Sequence, residues 1–114
     1  MPYLFSYGTL QKEEVQRKLF GRNLDGLPTS LKGYKATPIE IRDEEFLSKG
    51  EESNQLIALP SLENDRIEGT LFEVTDEELA LADSYEPVDY KRIKVLFESG
   101  KEGWIYTSVQ HPIL

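Results

Sequence analysis

The segment PYLFSYGTLQ, residues 2–11, is an apolar and aromatic run that stops at a glycine. Residues 2–7 predict a β-strand, and because nearly every position is apolar we expect this strand to be buried on both faces. Gly8 predicts a turn directly after the strand. A glycine in such a turn lets backbone N–H groups approach a bound group closely, so the end of this segment is a candidate binding element.

Two short helices are predicted farther along the chain. The first covers about residues 11–19. The second runs from Asp76 to about Ser84, because Thr75 and Glu78 fit a capping box and the acidic first turn suits the helix dipole. Pro87 predicts a firm end to this second helix.

The remaining apolar segments predict strands at 31–41, 56–59, 67–74, 90–97 and 103–109, the last two joined by a hairpin turn. Pro38 indicates an edge strand or a bulge, and Gly69 a bulge or a close approach of two backbones. The segments 23–28 and 42–54 predict loops, the second solvated because it is acidic and has little apolar content, with a substrate lid as the alternative.

Strands dominate this pattern and short helices interrupt them, which is typical of an α+β protein with a mixed or barrel-like sheet. The helix that starts at Asp76 could cross over between the strands on either side, which would make those two strands parallel. The length of 114 residues favours one domain, residues 1–114.

Composition excludes several classes of function. The formal net charge of −8 opposes binding to nucleic acid or to an anionic membrane surface. No segment has the apolar length of a membrane span, and the N-terminus lacks the features of a secretory signal. The absence of cysteine excludes thiol nucleophiles and disulfides and fits a reducing compartment, so we expect a cytoplasmic protein.

Few groups remain that could carry out catalysis. The single histidine, His111, lies in the C-terminal tail beside Pro112, a poor position for serine–histidine chemistry. No metal-ligand spacing and no phosphate-binding loop is present, so we expect neither a metal nor a cofactor. Glu86, directly after the second predicted helix, is a carboxylate that could move a proton.

A carboxylate beside backbone donors is sufficient for one type of reaction, the attack of an amine on an amide carbonyl within one molecule. Both reacting groups then belong to the substrate. The protein needs only to fold the substrate, transfer one proton and stabilise the developing oxyanion.

The order of these motifs resembles the γ-glutamylcyclotransferase superfamily, and most closely its small members such as the γ-glutamylamine cyclotransferases. The resemblance covers the chain from Pro2 to Tyr106. It is carried by Tyr7-Gly8-Thr9-Leu10, by Tyr85-Glu86, and by Tyr90, Arg92 and Val95. Beside Glu86 the chain departs from the family pattern, with Leu81-Ala82-Asp83 ahead of it and Pro87 after it.

The resemblance implies a compact mixed β-sheet, partly closed into a barrel, with two or more short helices and a cavity at one end. It implies a small-molecule γ-glutamyl substrate that releases 5-oxoproline, with Glu86 as the catalytic acid and base. It also implies that the γ-glutamyl group is bound by Tyr7, Gly8, Thr9 and Leu10, and Tyr90 is a further candidate for the pocket.

Some roles stay open at this level. Tyr7 and Tyr90 fit core packing as well as ligand contact, and Arg92 favours an ion pair with an acidic residue over a substrate contact. Trp104 and Tyr106 are expected in the core. The chain could also be a catalytically inactive small-molecule-binding module of the same fold, or an interaction subunit that uses the sheet edge near Pro38. The leaving group and the oligomeric state are not predicted.

Overall fold

The computed structural model describes residues 2–48, 54–86 and 90–108, which form seven strands and three short α-helices. A 3₁₀ turn at Thr9–Gln11 precedes the first helix. In chain order the elements are β1 (Tyr3–Ser6), α1 (Glu13–Phe20), β2 (Gly26–Lys32), β3 (Tyr34–Glu40), α2 (Glu44–Leu47), β4 (Asn54–Pro60), β5 (Arg66–Glu73), α3 (Asp76–Tyr85), β6 (Tyr90–Leu96) and β7 (Glu102–Ser108). The prediction of a mixed α+β fold is confirmed.

The sheet forks at β7. One edge of β7 pairs with β6 along its whole length in antiparallel register. The opposite edge is shared: β1 pairs in parallel at Trp104, and β4 pairs in parallel at Thr107. One branch then continues from β1 through β5 to β2, and the other continues from β4 to β3. The turn after β1 therefore lies where the two branches separate.

The strand β1 is buried on both faces, as predicted. Leu4 is 0 % exposed and belongs to a core layer that α1 and α3 cover. Phe5 is 2 % exposed and faces the other way, into a second layer that includes Leu71 and Ile105. This alternation along an apolar strand places the end of β1 in the middle of the protein.

The sheet is partly closed. The turn after β6 approaches β2, where the Glu98 N–H donates to the Ser30 carbonyl oxygen at 3.0 Å and the Ser30 hydroxyl bonds the Glu98 carboxylate. Within the described residues no strand ladder seals this gap, so the barrel is incomplete.

Local signals set the ends of α3 well. The Thr75 hydroxyl accepts from the Glu78 N–H, and the Glu78 carboxylate accepts from the Thr75 N–H, so the predicted capping box is present. The helix ends at Tyr85, and Glu86 is its C-terminal cap. The predicted stop at Pro87 lies outside the described residues, as do the tail at His111 and the last predicted strand residue, Val109.

The glycine and proline signals in strands also agree with the structure. Pro38 lies on β3, which pairs only with β4 and forms an edge of the sheet among the described strands. A Cβ placed on Gly69 would lie 2.4 Å from the Ser6 carbonyl oxygen. Gly69 therefore allows β5 to approach the end of β1, as its position in a strand predicted.

Two predicted boundaries between 23 and 41 are wrong. The expected loop 23–28 is already strand from Gly26, because β2 pairs with β5 along all seven of its residues. The expected single strand 31–41 is two strands, separated at Gly33, whose φ of +85° turns the chain. Long-range pairing with β5 and β4 overrode the local turn signals here.

The segment 42–54 is not simply a solvated loop. It contains α2, capped by Asp43, whose side chain accepts from the Glu45 N–H. Phe46 is 3 % exposed and packs edge-on against Tyr85, with ring centroids 6.1 Å apart. The buried aromatic ring explains why this acidic segment folds onto the core, while residues 49–53 lie outside the described part of the chain.

The predicted parallel pair across α3 is also wrong. The strand β5 pairs antiparallel with β1 and β2, whereas β6 pairs antiparallel with β7. The parallel neighbours in the described sheet are instead β1 with β7 and β4 with β7. The helix α3 thus connects two strands that do not pair with each other. None of the described helices combines the length and the apolar character needed to cross a membrane.

Candidate functional site

Glu86 and the turn after β1 line one small recess. The turn leaves the sheet at the fork, and Glu86 follows the last residue of α3. The recess has a volume of about 40 Å³, which is more than one water molecule needs. Its lining residues are Phe5, Ser6, Tyr7, Gly8, Leu10, Gln55, Leu56, Glu86 and Tyr106.

The side chain of Gln16, on α1, holds the backbone of the turn. The buried side chain of Gln16 donates to the Leu10 carbonyl oxygen at 2.7 Å and accepts from the Leu24 N–H at 2.9 Å. The Gly8 N–H reaches the Ser6 hydroxyl at 3.4 Å, which is long for such a bond. No atom lies within 4 Å of the position a Gly8 Cβ would take. The turn therefore presents open backbone on the side of Gly8.

The hydroxyl of Tyr7 holds the fork of the sheet. It donates to the Tyr106 carbonyl oxygen on β7 at 2.9 Å and accepts from the Ala58 N–H on β4 at 2.8 Å. Tyr7 thus bridges β4 and β7 at the fork of the sheet. Its side chain has a structural role, which was one of the two readings left open by the sequence.

Two phenols lie close to the Glu86 carboxylate. Burial raises the pKa of the Tyr7 phenol far above its ordinary value, and the nearby Tyr90 and Glu86 add to the shift. Burial also raises the pKa of Tyr106, together with its bond to Asp83 and the charges of Asp83 and Glu86. Both phenols stay protonated around Glu86, so both remain hydrogen-bond donors at neutral pH.

A carboxylate one turn before Glu86 is held by three hydrogen bonds. Arg92 binds Asp83 through Nε and Nη2, both at 2.8 Å, and the Tyr106 hydroxyl donates to Asp83 at 2.7 Å. Burial alone would raise the pKa of Asp83, but the bonds from Arg92 and Tyr106 outweigh it and the pKa lies below its ordinary value. The Arg92 guanidinium also stacks on Trp104, 4.2 Å from the ring centroid.

A second, wider cleft adjoins the recess and shares Glu86 and Tyr106 with it. This cleft has a volume of about 340 Å³ and is also lined by Asp83, Tyr90, Arg92 and Trp104. Tyr90 faces this cleft, and its hydroxyl donates to the Leu56 carbonyl oxygen at 2.8 Å. Glu86 therefore lies where a small recess meets a larger opening.

The structure brings most of the predicted site residues together. Tyr7, Gly8, Leu10 and Glu86 line the recess, and Tyr90 lines the adjoining cleft. Thr9 lies between Gly8 and Leu10, in the 3₁₀ turn. Arg92 forms the ion pair that the sequence favoured, with Asp83.

The sequence reasoning missed several residues of this region. Trp104, expected in the core, is half-buried and lines the wider cleft. Tyr106 was expected in the core, but it lines both cavities as well as being buried. Asp83 and Gln16 received no role, although each holds one half of the recess. A polar residue on the buried side of a helix was the available signal for Gln16, since such a group needs internal partners. In the described ranges no group of three or more His, Cys, Asp or Glu side chains is arranged to hold a metal ion.

Two solved structures share this fold. The solution structure of At3g28950.1 from Arabidopsis thaliana matches with a TM-score of 0.70 and 21% sequence identity over 98% of this chain, which spans 64% of that protein. The solution structure of At5g39720.1 from Arabidopsis thaliana matches with a TM-score of 0.75 and 20% identity over 98% of this chain and 71% of that one. At these identities the likeness concerns the fold alone. This chain spans less than two thirds of the length of the first of these proteins.

Comparison of the sequence with protein families gives a match over nearly the whole chain. A search of curated proteins gave no match. The family model described as "Gamma-glutamyl cyclotransferase, AIG2-like" matches residues 4–113, which include the turn after β1, α3 and Glu86. The chain therefore belongs to the AIG2-like γ-glutamyl cyclotransferase family.

Proposed function

We propose that this protein releases 5-oxoproline from a small γ-glutamyl compound by cyclising its γ-glutamyl group. The observation that carries the proposal is that Glu86 and the turn of Tyr7, Gly8 and Leu10 line the same recess. Family membership supports cyclotransferase-type chemistry in general terms. The assignment of roles to individual residues is our own.

In the proposed reaction the Glu86 carboxylate accepts a proton from the α-ammonium group of the substrate. The freed amine attacks the γ-carbonyl carbon, so a new C–N bond closes a five-membered lactam. The tetrahedral intermediate then collapses, and the bond from that carbon to the leaving nitrogen breaks. Glu86 gives its proton to the leaving nitrogen. The carboxylate, ionised again, then accepts the second proton from the ring nitrogen and passes it to the departed amine or to water, so one carboxylate acts as base and as acid.

The turn after β1 binds the constant part of the substrate. A backbone N–H of this turn, such as that of Gly8, whose bond to the Ser6 hydroxyl is long at 3.4 Å, can donate instead to the oxygen that becomes negative in the intermediate. Gln16 fixes the Leu10 carbonyl, which limits the movement of the turn that carries this donor. Such preorganisation saves the energy of rearranging the site during the reaction.

The wider cleft accepts the variable part of the substrate. Glu86 must reach both the attacking and the leaving nitrogen, so the scissile bond belongs where the two cavities meet. The small recess then holds the γ-glutamyl group, and the cleft of about 340 Å³ holds the leaving group beside Trp104 and Tyr90. A cleft of this size accommodates leaving groups larger than a simple amine.

The test is the variant Glu86→Gln, which keeps the shape of the side chain and removes the base. We expect its rate of 5-oxoproline release to fall by about 10²–10⁴-fold, the usual contribution of a general acid–base group. The measurement uses γ-glutamyl amino acids and γ-glutamylamines as substrates, with 5-oxoproline quantified in the product.

Glu77→Gln is the matched control, because Glu77 is an exposed glutamate on the same helix. We expect it to keep the parent rate. A Glu86→Gln protein with a rate within a few-fold of the parent would reject the role of Glu86. A parent protein that binds these compounds tightly without forming product would instead favour a non-catalytic binding module.

A further inference from the structure

We propose that Asp83 is a positioning residue, which fixes the end of α3 and thereby holds Glu86 in place against the turn after β1. This inference rests on the function proposed above. It assigns Asp83, together with its partners Arg92 and Tyr106, a part in catalysis that acts through Glu86.

The first argument is how firmly Asp83 is held. Arg92 and Tyr106 lie on β6 and β7 and are direct cross-strand partners, so their side chains share one face of the sheet. Together they place three hydrogen bonds of 2.7–2.8 Å on one carboxylate. Bidentate and charge-assisted bonds of this kind are strong and directional.

The second argument is the short connection from Asp83 to Glu86. The two residues are one helical turn apart, and the Glu86 N–H makes the last hydrogen bond of the helix, to the Ala82 carbonyl oxygen at 3.1 Å. Helix ends fray when nothing anchors them. The hydrogen bonds from Arg92 and Tyr106 to Asp83, called the clamp below, therefore limit the motion of the backbone that carries Glu86.

The third argument is that the clamp reaches the other half of the recess. Tyr106 donates to Asp83 through its hydroxyl, and its backbone carbonyl oxygen accepts from the Tyr7 hydroxyl at 2.9 Å. A single residue on β7 thus connects the end of α3 to the turn after β1. Without Asp83 the turn stays anchored, but the helix end loses its fixed distance from it.

The experiment compares Asp83→Asn with the parent, alone and combined with Glu86→Gln. The asparagine keeps the shape of the side chain and loses the ion pair with Arg92. We expect kcat to fall about 10- to 100-fold with little change in KM, since small misplacements of a reacting group cost rate of this order. In the Glu86→Gln background we expect no further loss, because a residue that acts through Glu86 has no effect once the base is gone.

The control is Arg22→Gln. It breaks another bidentate arginine–carboxylate pair on the same helix, in which Arg22 binds Glu78 at 2.7 and 2.8 Å near the other end of α3. We expect this control to lower the melting temperature and to leave kcat unchanged. Equal losses of kcat in Arg22→Gln and Asp83→Asn, or an undiminished loss in the Glu86→Gln background, would overturn the positioning role.

Tyr106→Phe provides a second route if Asp83→Asn fails to fold. It removes the hydrogen bond to Asp83 and keeps the ring, and we expect a smaller fall in kcat of the same kind. The carboxyl ¹³C signal of Glu86 gives a readout that does not depend on activity: it should shift or broaden in Asp83→Asn and Tyr106→Phe but not in Arg22→Gln. An unchanged signal would overturn the proposal. A parent that forms no 5-oxoproline while this signal does respond would reject the proposed function alone.

Discussion

The hydroxyl of Tyr7 makes two hydrogen bonds to backbone groups of different strands. It accepts from the Ala58 N–H and donates to the Tyr106 carbonyl oxygen, so it satisfies one backbone group on β4 and one on β7 at the fork of the sheet. Buried backbone groups without partners are costly, and a fork in a sheet creates such groups. One side chain thus gives hydrogen-bond partners to two backbone groups at the fork and also fixes the turn that lines the recess.

The most demanding single position for backbone packing is Gly69. A Cβ at this residue would lie 2.4 Å from the Ser6 carbonyl oxygen and 2.7 Å from the Phe5 ring, and backbone cannot yield as a flexible side chain can. We expect Gly69→Ala to lower the free energy of unfolding by about 1–3 kcal/mol, the usual cost of overpacking. Chemical denaturation followed by circular dichroism measures this change.

Gly8→Ala is the comparison for Gly69→Ala, because nothing lies within 4 Å of its Cβ position. We expect its unfolding midpoint to stay close to that of the parent. If Gly69→Ala is as stable as Gly8→Ala, the close approach of β5 to the end of β1 is not a tight constraint.

At the scale of the elements, α3 is fixed at both ends by an arginine–carboxylate pair. Arg22 holds Glu78 in the first turn, and Arg92 holds Asp83 in the last. The two pairs are only partly buried, so their contribution to stability is modest and screened by solvent. The pair at the C-terminal end orients Glu86, which caps that end of the helix, whereas the pair at the N-terminal end ties the first turn to the segment that follows α1.

The pair at the start of α3 predicts a dependence of stability on pH. The hydrogen bond from Arg22 holds the pKa of Glu78 below its ordinary value of 4.5. A carboxylate with a lowered pKa in the folded state stabilises the protein above its ordinary pKa, and this contribution is lost as the pH falls through the folded pKa. We therefore expect Arg22→Gln to lower the melting temperature at neutral pH, and the difference from the parent to shrink in acid.

Thermal unfolding of the parent and Arg22→Gln, measured from neutral pH to below the ordinary glutamate pKa of 4.5, checks the expectation. Lys18→Gln serves as a control, since it removes one exposed positive charge from α1. A melting-temperature difference between parent and Arg22→Gln that stays constant into acid would contradict the role of the Glu78 carboxylate.

For the molecule as a whole, the net charge of −8 on 114 residues is the dominant electrostatic feature. Self-repulsion among like charges destabilises the compact state, and salt screens it, with a Debye length of about 30 Å at 0.01 M and about 3 Å at 1 M. We expect the melting temperature to rise with sodium chloride concentration at neutral pH. The same titration near the isoelectric point of about 4.7 should show a much smaller rise, and an equal rise would point to a cause other than charge repulsion.

The architecture also explains why the two halves of the recess meet. The turn after β1 and Tyr106 are far apart in the chain, and Tyr7 and Tyr106 are 99 residues apart. The parallel pairs of β7 with β1 and with β4 bring the beginning, the middle and the end of the described chain to one place. The site therefore depends on nearly the whole fold, so its assembly should be lost in a single cooperative transition.

Local signals in the sequence were enough to predict many elements and their ends. The apolar run 2–7 predicted a strand buried on both faces, and Thr75 with Glu78 predicted the start of α3. Pro38 predicted an edge strand or a bulge, and Gly69 a bulge or a close approach; the structure has the edge strand and the close approach. These features follow from the conformations and hydrogen bonds of neighbouring residues, so they are visible in the order of residues alone. The order of the turn and glutamate motifs was likewise sufficient to indicate the family.

Other features depended on contacts between distant segments. The division of 31–41 into two strands, the burial of Phe46 and the parallel partners of β7 all follow from pairing and packing across the sheet. The same holds for the clamp on Asp83, whose partner Tyr106 lies 23 residues away on another element. A residue pattern gives the period of each element but not its neighbours, because neighbours are selected by the free energy of the complete core and of its buried hydrogen bonds.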